Sequence, residues 1–130
     1  MSNVAPLSLG TLLAVAAGGA VGACLRFVVA SSLHSVSLSF PIGTLAVNVV
    51  GCFCAGLLLP IVSGHGIAYA LLIVGFCGGF TTMSAFSLDL LNALEGGQVG
   101  KSLVYVATTL LVSLAAVYIG IEMSRWLHRL

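Results

Sequence analysis

Gly75-Phe76-Cys77-Gly78-Gly79-Phe80-Thr81-Thr82-Met83-Ser84-Ala85-Phe86-Ser87 decides how this chain folds. It sits deep in an apolar run, yet three glycines are followed closely by four hydroxyls. Glycine is a poor helix former, and Ser or Thr side chains can satisfy backbone groups that a broken helix releases. A helix interrupted within a membrane is therefore expected here. Such a break exposes carbonyl and N–H groups as ion ligands. The plainer alternative is close helix packing through small residues.

The surrounding composition makes the membrane reading firm. Of 130 residues, 60% are apolar and only 5% charged, with a mean hydropathy of +1.24. A soluble domain carries roughly 25% charged residues. Four uncharged windows, residues 4–25, 42–62, 67–88 and 102–121, are each long enough to cross lipid as a helix. They end at Arg26, the Ser63-Gly64-His65-Gly66 turn, Asp89 and Glu122. No Asp, Glu, Lys or Arg occurs from Phe27 to Leu88. Barrel strands would be shorter and alternate in polarity. The expectation is an all-α integral membrane protein forming one domain over residues 1–130, with helices at 4–29, 41–62, 67–94 and 102–126. Pro41 suits the first turn of the second helix, and Ser39 suits its cap. Met1-Ser2-Asn3 carries no basic stretch, so the first helix is expected to be retained rather than cleaved.

Charge excludes several functions. Four basic and three acidic residues give a net +1, which is no footprint for nucleic acid. So apolar a chain will not stay disordered. No nucleophile, base and orienting group can be assembled, so an enzyme is not expected. Cys24, Cys52, Cys54 and Cys77 lie inside apolar spans with no C-x-x-C spacing, and read as small hydrophobes. His34, His65 and His128 fall in turns or at the end and read as solvated, and Asp89 and Glu95 as interfacial.

Orientation is ambiguous on the positive-inside rule. With four spans, Arg125 and Arg129 share one side, and Arg26 and Lys101 the other. Either another cue orients the protein or it inserts both ways up. Insertion both ways would make an antiparallel homodimer the simplest closed assembly.

Polar residues within the spans are the candidates for function. Thr44, Asn48, Gly51, Cys52 and Ala55 share one face of the second helix. Asn48 is either interhelical glue or an anion donor. Tyr105, Thr109 and Ser113 recur at steps of four on the last helix, a ladder of O–H donors covering roughly 12 Å of rise. Alternatively, each hydroxyl bonds its own i−4 carbonyl. Gly18-Gly19-Ala20-Val21-Gly22 holds a G-x-x-x-G pair permitting close contact. Arg26 either snorkels to the interface or draws anions inward.

Several of these segments match one family. Gly43-Thr44-Leu45-Ala46-Val47-Asn48-Val49-Val50-Gly51 resembles the G-T-L-x-x-N-x-x-G stretch of the Fluc (CrcB) fluoride channels. The stretch from Gly75 to Ser87 resembles their G-x-x-G-G-x-T-T-F-S-T-F-S, and the Gly18–Gly22 run followed by Arg26 is similar to their first helix. The resemblance covers residues 16–117. It implies a dual-topology, antiparallel homodimer with a broken third helix and two pathways for fluoride ion. It implies a structural Na+ at the dimer centre, held by backbone carbonyls at Gly78 and Thr81. The anion pathway would map to Asn48 and Phe86, with Ser84 nearby, to the track of Tyr105, Thr109 and Ser113, and to Arg26. Met83 stands where the family has its first phenylalanine, and Ala85 replaces its usual threonine. Phenylalanine offers an anion its electropositive ring edge; methionine does not.

The function so implied is passive export of cytoplasmic fluoride through a bacterial plasma (inner) membrane, giving resistance to fluoride. Two rivals remain from other classes. A small multidrug-resistance-type exporter needs a carboxylate in the first helix, and residues 4–25 contain none. A structural subunit of a membrane complex would explain the small-residue faces, but not the glycine-rich interruption or the hydroxyl ladder.

Overall fold

The computed structural model describes residues 6–33 and 40–129. Ser39 and His34 lie outside them. Ser8 starts α1 (Leu9–Ser32): its backbone is extended and its hydroxyl oxygen accepts the Thr11 N–H at 3.2 Å. That satisfies one of the donors that a helix start leaves open. α2 (Ile42–Val62) begins directly after Pro41, which has no N–H to leave unpaired. The chain then turns at Gly64, whose φ of +86° suits a residue without Cβ.

The third span is helical over residues 66–80 (α3). A short α segment, Gly66–Tyr69, leads into a π-helix, Ala70–Cys77, and then a final turn, Gly78–Phe80. Eight residues of π geometry is long for a form usually seen as single-turn bulges. Helical dihedrals lapse at Thr81 and Thr82, and helix resumes as α4 (Met83–Glu95). The segment Gly66–Glu95 nevertheless stays joined as one apolar stretch. After Gly97, at φ +71°, α5 (Val99–Leu127) completes the chain. No strand occurs among the described residues.

Four helical stretches are thus long and apolar enough to cross a bilayer: Leu9–Ser32, Ile42–Val62, Gly66–Glu95 and Val99–Leu127. The protein is a multi-pass membrane protein. Its outward-facing side chains fit that solvent. Leu13, Phe27, Leu103, Leu111 and Leu114 are all more than half exposed.

Two glycine seams draw the helices together. A Cβ on Gly18 would strike the Leu71 carbonyl, and one on Gly22 the Phe76 carbonyl. From the other side, a Cβ on Gly75 would lie 2.8 Å from the Val15 oxygen, and one on Gly79 2.6 Å from the Gly19 oxygen. Gly18 and Gly22 on α1 therefore mesh with Gly75 and Gly79 on α3, backbone on backbone, the packing that small residues four apart permit. The second seam sets Gly56 of α2 against Val117, and Gly120 of α5 against Phe53 and Leu57. Asn48 and Thr109 border one cavity further back along the same pair, so α2 and α5 run parallel.

A cavity at the interrupted span

Thr81 (φ −74°, ψ 159°) and Thr82 (φ −150°, ψ 115°) are extended. Thr82 therefore cannot give its N–H to the Gly78 carbonyl, as a continuous helix would require. Asn48 takes over. Its Oδ1 accepts the Thr82 N–H at 2.7 Å, and its Nδ2 donates to the Thr82 carbonyl at 3.1 Å. Both residues are buried, where unpaired backbone groups are costly. The Thr82 hydroxyl oxygen accepts the Ala85 N–H at 3.1 Å and so caps α4, with Ser84 Oγ also 3.1 Å away. Thr81 is tied backward: its N–H and its hydroxyl each donate to the Cys77 carbonyl at 3.0 Å. Gly51 makes room for it, since a Cβ there would strike Thr81 Cγ2.

Beside this clasp lies a cavity of about 250 Å³. It is lined by Asn48, Cys52, Thr81, Thr82, Met83, Phe86, Thr109, Leu110 and Ser113. Most of the candidate residues meet here. Phe86 is buried at 6% exposure, while Met83 stands 70% exposed at the rim. The hydroxyls of Thr109 and Ser113 are buried and bond nothing. The alternative in which each bonds its i−4 carbonyl therefore does not describe these two.

Ser84 is exposed and borders the cavity only through its contact with Thr82. Gly78 is exposed and Thr81 partly so. Tyr105 does not line the cavity. Its ring packs against Phe86 (centroids 5.0 Å apart) and meets Phe40 edge-on at 5.4 Å. Its hydroxyl donates to Asp89 Oδ2 at 3.4 Å.

Asp89 is the residue that the sequence undervalued. Beyond marking the end of an uncharged window, it accepts the Thr44 hydroxyl at 2.6 Å as well as that of Tyr105. It thereby joins α2, α4 and α5. One signal was available: Asp89 falls three residues after Phe86, on the same helical face.

Arg26 reaches inward. Its Nε donates to the Gly79 carbonyl at 3.1 Å. It lines a second cavity, also about 250 Å³, with Phe27, Thr44, Val47, Thr82 and Ala85 among its walls. Thr82 borders both cavities, and Asn48, its partner, borders the first. The four cysteines form no disulfide. No cluster of His, Cys, Asp and Glu that could hold a metal ion occurs among the described residues.

Comparison with known proteins places this architecture. A family model described as CrcB-like protein, Camphor Resistance (CrcB), matches residues 13–121. A Rhizobium etli protein named fluoride-specific ion channel FluC is 45% identical over 118 residues, covering 87% of this chain and 94% of its own. A Paracoccus denitrificans protein of the same name is 40% identical over 119 residues, covering 90% and 96%. One from Nocardia farcinica, fluoride-specific ion channel FluC 2, is 38% identical over 129 residues, covering 96% and 92%. The match enters all four apolar stretches, and the chain belongs to the CrcB family.

Proposed function

We propose that this protein is a fluoride channel that lets the anion leave a bacterial cell passively across the inner membrane. The observation that carries the reading is the pair of buried, unpartnered hydroxyls of Thr109 and Ser113, on residues that line one cavity with Asn48 and Phe86. Buried donors without acceptors cost about 1–3 kcal/mol each. A small, strongly hydrated anion supplies the missing acceptor, and the hydroxyls replace part of its water shell. Asn48 spends one amide N–H on Thr82 and keeps a second for the anion. Phe86 offers a ring edge. The relatives' names support fluoride as the anion.

The physical chemistry is coherent. Fluoride enters as neutral HF, ionises inside and is trapped. The membrane potential then drives the anion outward through an open path. Asp89 lies near that path, where two hydroxyl donors on Oδ2 disperse its charge.

The working unit is an antiparallel homodimer, consistent with two basic residues on each side of the membrane. Gly78 and Thr81 fit a structural sodium ion at its centre. Thr82's N–H has turned away from the Gly78 carbonyl and Thr81 is extended, so oxygen donors are released where α3 ends. Hard cations take such ligands, and a bound Na+ would neutralise these carbonyl dipoles.

Efflux from liposomes loaded with fluoride tests the proposal, with chloride as control. Fluoride should leave and chloride should stay. Retention of fluoride equal to protein-free vesicles rejects it.

A further inference from the structure

We propose that Asp89 is a positioning residue for the anion route. It holds the Tyr105 hydroxyl, Tyr105 backs the Phe86 ring, and the edge that Phe86 offers is thereby set by a carboxylate that does not itself line the cavity. The inference rests on the reading of this cavity as that route.

Phe86 cannot fix its own ring. The torsion that turns a phenylalanine ring is broad and two-fold, so neighbours decide where the edge points. The edge is electropositive and the face electronegative, so a turned ring opposes an anion instead of attracting it. The Phe86 ring lies 5.0 Å from that of Tyr105, at 41°. Tyr105 is buried to 2% exposure and meets Phe40 edge-on, at 85°. Two apolar ring contacts still let a phenol pivot, and its tip supplies the third point. There the hydroxyl donates to Asp89 Oδ2 at 3.4 Å. That bond is long, so it depends on an oxygen that stays in place. Thr44 keeps it there, donating from α2 to the same oxygen at 2.6 Å. Asp89 and Phe86 stand three apart on α4, so one helical face brings both ring and carboxylate to Tyr105.

Burial gives the anchor its weight. A buried hydroxyl that loses its acceptor bears the full cost of desolvation, whereas removing both partners can be nearly neutral. Without an acceptor at residue 89 the Tyr105 O–H must turn towards another, and the rigid ring turns with it. Phe86 then loses its backing. The negative charge of Asp89 is not required for this, because a neutral amide oxygen has lone pairs for both hydroxyls.

The test uses the full chain in liposomes. Fluoride efflux is compared for Asp89→Asn, for Asp89→Ala, and for Asp89→Ala combined with Tyr105→Phe. In parallel, para-fluorophenylalanine replaces Phe86 in each protein, and its fluorine resonance is read in detergent without added fluoride. Asp89→Ala should be slower than Asp89→Asn by roughly tenfold or more, and adding Tyr105→Phe should recover most of that loss, because it removes the orphaned hydroxyl. The resonance should move in Asp89→Ala and return in the double variant. A fold that is merely weakened does not regain its rate through a second substitution. Equal efflux in the Asn and Ala variants overturns the proposal, as does a double variant no faster than Asp89→Ala. Should Asp89→Ala not be extracted as folded protein, extraction of the double variant supports the proposal and its failure overturns it. Absence of efflux in the unmodified protein defeats the channel reading instead. The resonance then decides alone, and an unmoved signal in Asp89→Ala overturns the positioning role.

Discussion

Asn48 and Thr82 clasp each other in both directions, amide to carbonyl at 3.1 Å and backbone N–H to amide oxygen at 2.7 Å. The side chain thus completes the backbone bonding that the lapse of helix takes from Thr82, a residue that borders two cavities.

Asn48→Ala should leave both Thr82 backbone groups buried and unpaired, at a cost of about 1–3 kcal/mol per group. Lower yield and earlier thermal unfolding in detergent would report it. Asn48→Asp should also stop fluoride efflux, because an ionised carboxylate there repels the anion. Efflux at the original rate in the aspartate variant would remove Asn48 from the pathway.

Phe86→Ile keeps an apolar side chain in a buried position but removes the ring edge. Fluoride efflux should be abolished or sharply slowed, while size-exclusion profiles stay those of the parent. Parental flux would show that the ring serves only to pack against Tyr105.

Met83→Phe restores the aromatic that the related motif carries at this point. It should speed efflux by adding a ring edge at the rim of the cavity. An unchanged rate would mean that the position is packing alone.

The spans were legible because their signal is local. Uncharged windows and the charges that end them need no knowledge of neighbours. Spacing offered Asn48 and the hydroxyl steps of the last helix separately; the expectation that they join Phe86 on one pathway came from the family resemblance, and Asn48, Phe86, Thr109 and Ser113 do line one cavity. The bonds of Asp89 were not legible because its partners, Thr44 and Tyr105, lie 45 and 16 residues away; a charge at the end of an apolar window looks like a boundary until those contacts are known. Tyr105 shares the spacing of Thr109 and Ser113, yet its longer side chain carries the hydroxyl to Asp89. The two glycine pairs were each visible, but only the structure sets Gly18 and Gly22 against Gly75 and Gly79. No residue pattern announced the π segment.

Gly18→Val should force the α1 and α3 backbones apart, because the added carbon meets the Leu71 carbonyl with no side chain to move aside. Loss of folded, detergent-extractable protein is the expected result. A normally extracted, monodisperse variant would contradict the close seam.

Tags on both termini, probed in intact cells, should be reachable from both sides of the membrane in roughly equal measure if the charge balance sets no preferred orientation. Access from one side alone would count against the antiparallel homodimer.

The meshing of α1 with residues 66–80 divides the third span into two differently held parts. Main chain pressed on main chain makes the first part and α1 a single plank. Beyond Thr82 that backbone packing gives way to side chains, which hold the 13 residues of α4 instead: Asn48 at its threshold, Phe86 against Tyr105, and Asp89 bonded to Thr44 and Tyr105. One half of the span is thus riveted and the other is laced, so a point substitution can loosen the second without touching the first.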